Sequence, residues 1–230
     1  QPAVVAGHSL GEYAALVAAG SLTLKDALPL VRFRAQAMQE AVPVGVGGMA
    51  AILGMDAEGV RAGCAQAAAE TGQAVEAVNF NDPKQTVIAG TKAAVEKACE
   101  LLKAAGAKRA LPLPVSAPFH SSLMKPAADR LRDKLAATTF AVPSIAVINN
   151  IDVAEATTPD AIRDALYRQA FGPVRWVETI QALRARGLTH VIECGPGKVL
   201  SGMVKRIDAD LVTGTVFDPA SLAEVKGLLA

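Results

Sequence analysis

Short apolar runs alternate with longer segments of helical periodicity along most of the chain. Residues 3–6 form a continuous apolar run, and residues 12–19 have strong helix propensity up to Gly20. This pattern predicts a short buried strand followed closely by a helix that Gly20 ends. Residues 24–40 carry apolar side chains at helical spacing and predict a second helix.

Residues 47–114 show a different order of apolar runs and helical segments. The apolar runs predict strands at 49–53, 74–80, 85–89 and 108–113, and alanine-rich segments predict helices at 57–70 and 92–105. The resulting order is β-α-β-β-α-β, which is typical of the ferredoxin-like fold. We therefore expect a ferredoxin-like subdomain over 47–114, inserted into a larger α/β domain made of 1–46 and 115–230.

The second part of that larger domain again alternates strands and helices. Helices are predicted at 121–135, 160–168, 174–186 and 199–207, and strands at 145–150, 189–193 and 212–216. Such alternation indicates a parallel sheet covered by helices. The many alanines and the low aromatic content of 4% also favour helices packed on a sheet over a β-sandwich.

The junction between the first predicted strand and helix carries a G-x-S-x-G pentapeptide at residues 7–11. Between a strand and a helix, this motif places its serine at the apex of a sharp turn, as in the nucleophile elbow of α/β-hydrolases. The serine then stands at a helix N-terminus, where free N–H groups can stabilise developing negative charge. We therefore expect Ser9 to be a nucleophile on an α/β-hydrolase-like core, with a purely structural turn as the alternative.

A serine nucleophile needs a base, and the chain has three histidines. His8 is next to Ser9, but adjacent residues on a tight turn point in different directions, so a packing or turn-fixing role is expected. His190 opens a predicted strand and reads as a partly exposed structural residue. His120 lies where the chain leaves the inserted subdomain and re-enters the core, a boundary at which clefts form. By elimination and position, His120 is the predicted base.

Charged residues give weaker signals. Arg32 and Arg34 fall on different faces of the second predicted helix, so one of them could point inward and pair bidentately with a substrate carboxylate. Periodicity alone nevertheless favours a surface position for Arg34. No acidic residue stands in an obvious third position of a triad between Ser9 and His120, which argues against an ordinary esterase.

Composition excludes several classes of function. The formal net charge of +1, without any basic run, argues against nucleic-acid binding. No apolar segment is long enough to cross a bilayer, and no signal peptide is visible. Cys64, Cys99 and Cys194 lack metal-binding spacing and are expected to be buried free thiols, so we expect a cytoplasmic protein that binds neither nucleic acid nor membrane.

Seven segments occur together in an order that is typical of one family. They are residues 7–13, Arg34 with residues 38–39, 78–81, 111–120, 149–150, 168–169 and 195–200. In these segments the chain closely resembles bacterial malonyl-CoA:acyl carrier protein transacylases of type II fatty acid synthesis and the acyltransferase domains of polyketide synthases. The resemblance runs from Ala3 to the C-terminus.

The resemblance implies a reaction and roles for individual residues. It implies that a monomer transfers malonyl from malonyl-CoA to the phosphopantetheine thiol of acyl carrier protein, through a malonyl ester on Ser9 and without a cofactor or metal. It also implies that His120 is the base and that the backbone carbonyl of Gln169 orients it. Arg34 would bind the malonyl carboxylate, contrary to the surface position that periodicity favours.

Four further residues are implied by the same resemblance. Leu10 would supply one oxyanion-hole N–H, and Phe119 matches the pattern that goes with malonyl rather than methylmalonyl. Asn79 and Asn81 would line the cleft between the two subdomains.

One departure from the family concerns the N-terminal side. The family begins with a strand and a Gly-Gln-Gly-rich loop that supplies the second oxyanion N–H, whereas this chain starts at Gln1 inside the strand that precedes the elbow. We therefore expect an N-terminal portion to be missing. Two alternatives to the transacylase stay open, namely a serine hydrolase or thioesterase that uses water, and a truncated inactive fragment that only binds carrier protein.

Overall fold

The computed structural model describes residues 1–115 and 117–229. Ser116, which belongs to the segment 111–120 named above, lies outside the described residues. The strands are β1 (Val4–Ala6), β2 (Gly47–Leu53), β3 (Val75–Asp82), β4 (Gln85–Thr91), β5 (Arg109–Pro112), β6 (Ala146–Ile148), β7 (His190–Cys194) and β8 (Val212–Val216). The helices are α1 (Gly11–Ala18), α2 (Leu24–Gln39), α3 (Ala57–Thr71), α4 (Lys92–Ala104), α5 (Lys125–Ala136), α6 (Pro159–Gln169), α7 (Trp176–Ala185), α8 (Val199–Ile207) and α9 (Pro219–Leu228).

The helix α9 is absent from the sequence-based assignment. Its start nevertheless carries a clear local signal, because the side chain of Asp218 accepts a hydrogen bond from Ser221 N and Pro219 occupies the first turn. The predicted helix over 121–135 is also divided, with a short 3-10 turn at Ser122–Met124 ahead of α5. Pro126 lies in the first turn of α5, where its missing N–H leaves no helical bond unmade.

Strand pairing yields one antiparallel and two parallel sheets among the described residues. The antiparallel sheet has the order β3-β4-β2-β5, with α3 and α4 as its two helical connections. A shared apolar core that includes Ile52, Val60, Ile88 and Leu102 joins these helices to the sheet. The element order over 47–114 is therefore the predicted β-α-β-β-α-β.

The two parallel sheets each contain two strands. β1 pairs with β6, with Val5 opposite Val147, and β7 pairs with β8, with His190 opposite Val212. By contact density, Gln1–Trp176 forms one compact unit and Val177–Ala230 a second one.

An apolar core within the first unit fixes the helices around β1. Tyr13 and Leu16 of α1 pack in one cluster with Leu30 of α2, Leu131 of α5 and Leu166 of α6. Because this packing sets the relative positions of α1, α2 and α6, it also determines where the polar side chains at their ends meet.

The cysteine prediction is only partly right. Cys64 and Cys99 are buried free thiols in α3 and α4, but Cys194 is exposed at the end of β7. The prediction rested on the number and spacing of the cysteines, which do not indicate whether a given thiol is buried. Within residues 1–115 and 117–229, no helix combines the length and the apolar character needed to span a bilayer.

Candidate active site

Ser9 stands at the apex of the turn between β1 and α1. Its φ of 52° lies in the left-handed region, which non-glycine residues rarely adopt outside strained, functional turns. A Cβ added at Gly7 would lie 1.9 Å from the backbone carbon of Gly11, so only glycine permits this approach of strand and helix. At Gly11 itself, an added Cβ would meet nothing within 4 Å among the described residues.

Asn150, just beyond the end of β6, holds this turn through its side chain. Its Oδ1 accepts a hydrogen bond from Ser9 N at 2.7 Å, and its Nδ2 donates to the carbonyl oxygen of Gly7, also at 2.7 Å. Asn150 is completely buried, so these bonds are protected from competing water. The strained conformation of Ser9 is therefore fixed from a neighbouring strand.

The imidazole of His120 contacts Ser9 on one side and backbone carbonyls on the other. Ser9 Oγ lies 2.7 Å from His120 Nε2, and His120 Nδ1 lies 3.0 Å from Gln169 O and 3.2 Å from Gly172 O. Because carbonyl oxygens only accept hydrogen bonds, the proton of a neutral imidazole belongs on Nδ1. Nε2 is then free to accept a proton from the Ser9 hydroxyl.

The electrostatic environment keeps His120 neutral. Burial and, after it, the positive charge of Arg34 lower the pKa of His120 from 6.5 to about 3. The pair of Ser9 and His120 is thus ready for proton transfer throughout the neutral pH range.

Arg34 points into the site, so the surface position that periodicity favours is wrong. Its Nη2 donates to Ser9 Oγ and to Gln169 Oε1, both at 3.0 Å. Arg34 lies four residues from both Leu30 and Met38, which are buried on the same face of α2. The four-residue spacing from Leu30 and Met38 is the feature of the sequence that indicates that Arg34 points inward. Its Nε has no hydrogen-bond partner among the described residues.

Sequence reasoning missed Glu12, which lies between Ser9 and His120 along the chain and is buried beneath the elbow. Its Oε2 accepts hydrogen bonds from Asn150 N and from Gln169 Nε2, both at 2.9 Å. Burial raises the pKa of Glu12 to about 7. A glutamate in the first helical turn usually serves the helix dipole from the surface, which hides this role in a single sequence.

The structure also describes the four remaining residues that the sequence assigns to the site. Asn79 is buried, and its Oδ1 has no hydrogen-bond partner among the described residues. Asn81 Oδ1 lies 2.9 Å from His8 Nε2. The half-buried Phe119 packs both against the β2–β4 side of the antiparallel sheet and against α2, and Leu10 is the N-cap residue of α1.

Comparison with known sequences decides the family. The chain matches the acyl transferase domain family over residues 1–214. It belongs to that family.

Several relatives of this acyl transferase have names that specify a reaction. The malonyl CoA-acyl carrier protein transacylase of Escherichia coli (strain K12) is 54% identical over 222 residues, which are 96% of this chain and 71% of that protein. The protein of that name from Bacillus subtilis (strain 168) is 50% identical over 221 residues, covering 96% of this chain and 69% of the relative.

Solved structures give the same picture. The acyl-carrier-protein S-malonyltransferase from Burkholderia pseudomallei 1710b matches with a TM-score of 0.96 and 69% identity, over 98% of this chain and 73% of that one. A malonyl-transacylase in complex with a type II polyketide acyl-carrier protein matches with a TM-score of 0.95 and 51% identity, over 97% and 72% of the two chains. The α/β fold of this acyl transferase is therefore that of S-malonyltransferases.

Proposed function

We propose that this acyl transferase moves a malonyl group from malonyl-CoA to the phosphopantetheine thiol of an acyl carrier protein, through an ester on Ser9. The named relatives support both the donor and the acceptor. One geometric observation carries the assignment of residues. Ser9 Oγ lies 2.7 Å from the imidazole of His120 and 3.0 Å from the buried guanidinium of Arg34.

The first half-reaction acylates Ser9. His120 Nε2 takes the hydroxyl proton while Ser9 Oγ attacks the thioester carbonyl, and the carbonyl oxygen becomes negatively charged. The N–H of Leu10, at the start of α1, supplies one hydrogen bond to that oxygen. When the C–S bond breaks, the proton on His120 goes to the leaving CoA thiolate, and malonyl-Ser9 remains.

The second half-reaction reverses these steps with a new thiol. His120 Nε2 removes the proton of the phosphopantetheine thiol, and the sulfur attacks the ester carbonyl of malonyl-Ser9. The C–O bond then breaks, and the proton returns from His120 to Ser9 Oγ. The carbonyl oxygens of Gln169 and Gly172 stabilise the imidazolium that forms briefly in both halves.

Arg34 selects the acyl group. Its unpaired Nε and the Nη2 N–H that donates to Ser9 Oγ can receive the malonyl carboxylate as a fork, while the other Nη2 N–H stays on Gln169 Oε1. An acetyl group would leave the buried cation without an anion. Phe119 limits the space beside this pocket, and Asn79 and Asn81 line the cleft next to it. Neither half-reaction requires a metal or a cofactor besides the CoA thioester.

The finer description of the fold belongs to the same proposal. The antiparallel order β3-β4-β2-β5 with two helices supports a ferredoxin-like subdomain over 47–114. Parallel pairing of β1 with β6 next to the elbow supports an α/β-hydrolase-like core made of 1–46 and 115–230. The enzyme acts as a monomer in the cytoplasm, in keeping with its free cysteines.

Covalent labelling tests the proposal. The protein incubated with radiolabelled malonyl-CoA should gain one malonyl group, and Ser9→Ala should gain none. Labelling of the Ser9→Ala variant, or no labelling of the unmodified protein, would contradict the assignment. Product analysis with carrier protein should give malonyl-carrier protein, whereas release of free malonate alone would identify a hydrolase.

A further inference from the structure

The side chain of Gln169 lies between the buried carboxyl group of Glu12 and the buried guanidinium of Arg34. Its Nε2 donates to Glu12 Oε2 at 2.9 Å and to the Ser9 carbonyl oxygen at 3.0 Å. Its Oε1 accepts from Arg34 Nη2 at 3.0 Å. Gln169 is itself completely buried, so its amide depends on these three partners.

Only one orientation of this amide satisfies all of them. A glutamine amide can be turned by 180°, and its hydrogen-bond partners decide which end faces which way. A carboxylate and a carbonyl only accept, whereas a guanidinium only donates. In the reversed orientation the amide nitrogen would face the N–H groups of Arg34, and its oxygen would face two other oxygens.

The carboxyl group of Glu12 is buried and is held by two hydrogen bonds, from Asn150 N and from Gln169 Nε2. Neither Glu12 nor Arg34 forms an ion pair in the described part of the chain, and each is less than a tenth exposed. A buried charge without a partner is costly. The Gln169 amide connects the two groups, with its nitrogen towards the anion and its oxygen towards the cation.

We propose that Glu12 is a positioning residue for acyl selection, which it performs by fixing the Gln169 amide so that Oε1 holds the Arg34 guanidinium in place for the substrate carboxylate. This inference rests on the function proposed above, since it assumes that Arg34 binds that carboxylate. Glu12 touches neither Ser9 Oγ nor His120 and takes no part in proton transfer.

The test compares acylation by malonyl-CoA with acylation by acetyl-CoA. For each variant, kcat/KM is measured for both thioesters in single-turnover experiments, and the ratio of the two is reported. A variant that merely folds poorly loses active protein equally for both substrates, so its ratio stays constant. Only altered recognition of the carboxylate changes the ratio.

Glu12→Ala removes one of the two acceptors of Gln169 Nε2 and leaves only the Ser9 carbonyl oxygen. It should lower the malonyl-to-acetyl ratio about tenfold, as expected for one hydrogen bond in a charged network. Glu12→Asp withdraws the carboxylate by one methylene and should also lower the malonyl-to-acetyl ratio. It replaces the alanine variant in the test if that variant does not fold. Glu12→Gln, whose amide oxygen can accept both hydrogen bonds, should restore the ratio to within about threefold.

Ser21→Ala is the matched control. Ser21 is a buried polar residue that donates to the Ala141 carbonyl oxygen at 2.7 Å, outside the site. This variant should lower thermal stability and leave the ratio unchanged. An unchanged ratio in both Glu12→Ala and Glu12→Asp would overturn the inference, and so would a Glu12→Gln ratio as low as that of Glu12→Ala.

Arg34→Ala separates this inference from the proposed function. If Arg34→Ala abolishes the preference for malonyl while the Glu12 variants keep it, only the role of Glu12 is wrong. If Arg34→Ala also keeps the preference, the proposed role of Arg34 itself fails.

Discussion

His120 Nδ1 donates to the backbone carbonyl oxygen of Gln169 at 3.0 Å, so the residue that orients the imidazole carries no charge at the point of contact. A carboxylate in this position would stabilise the imidazolium form much more strongly. Because the partner is a neutral carbonyl, burial dominates and the pKa of His120 falls to about 3. The arrangement produces a weak base that is always available, which suits an activated thioester.

The first prediction concerns the pH dependence of acylation. With a pKa of about 3 in the folded protein, His120 stays neutral from pH 8 down to pH 5, so the single-turnover rate should not fall over that range. The measurement is best made in Glu12→Gln, in which Glu12 cannot titrate. A rate that halves near pH 6.5 would show that His120 has an ordinary pKa.

The second prediction concerns stability and Glu12. Its pKa is raised from 4.5 to about 7, so the folded protein binds this proton more tightly than the unfolded chain does. The resulting stabilisation is fully present below pH 4.5 and is lost as the pH rises through about 7. The free energy of unfolding, measured in urea, should therefore fall relative to that of Glu12→Gln by about 3 kcal/mol between pH 4 and pH 8. A difference that does not vary with pH would contradict the raised pKa.

The third prediction concerns Arg34. Arg34→Ala should lower kcat/KM for malonyl-CoA about 100-fold, because the acyl carboxylate loses its charged hydrogen bonds. The value for acetyl-CoA should change far less. For Arg34→Lys, kcat/KM for malonyl-CoA should lie between the values of the unmodified protein and of Arg34→Ala, since lysine keeps the charge but lacks the planar fork. Equal losses of kcat/KM for both thioesters would show that Arg34 does not select the acyl group.

The fourth prediction separates the two glycines of the elbow. Gly7→Ala should destabilise the protein by more than about 4 kcal/mol, because its Cβ would collide with backbone at Gly11. Gly11→Ala is the control, since its Cβ meets nothing within 4 Å and alanine favours the helix. It should retain or slightly increase the melting temperature measured by circular dichroism. Similar losses of stability in Gly7→Ala and Gly11→Ala would contradict the steric role of Gly7.

The sequence predicts the type of most elements because their signals are local. Apolar runs and helical spacing determine β2, α3 and the strands that follow, and the G-x-S-x-G motif locates Ser9. The helix α9 lies outside the predicted elements, although Asp218 and Ser221 form a capping box at its start.

The direction of buried polar side chains is harder to obtain from one sequence. Arg34 and Glu12 are residue types that usually lie on the surface, so residue type alone assigns them there, although Arg34 shares a face of α2 with Leu30 and Met38. Their burial depends on Gln169 and Asn150, which are more than 100 residues away and reach the elbow only in the folded chain. Such long-range pairing leaves no local pattern.

The two kinds of contact made by Gln169 have a consequence for redesign. Its main-chain oxygen serves His120, and every amino acid retains that oxygen. Its side chain serves Arg34, and only that part changes on substitution. Position 169 is therefore a place where choice of acyl group can diverge between relatives, or be engineered, while the partner of the base remains in place.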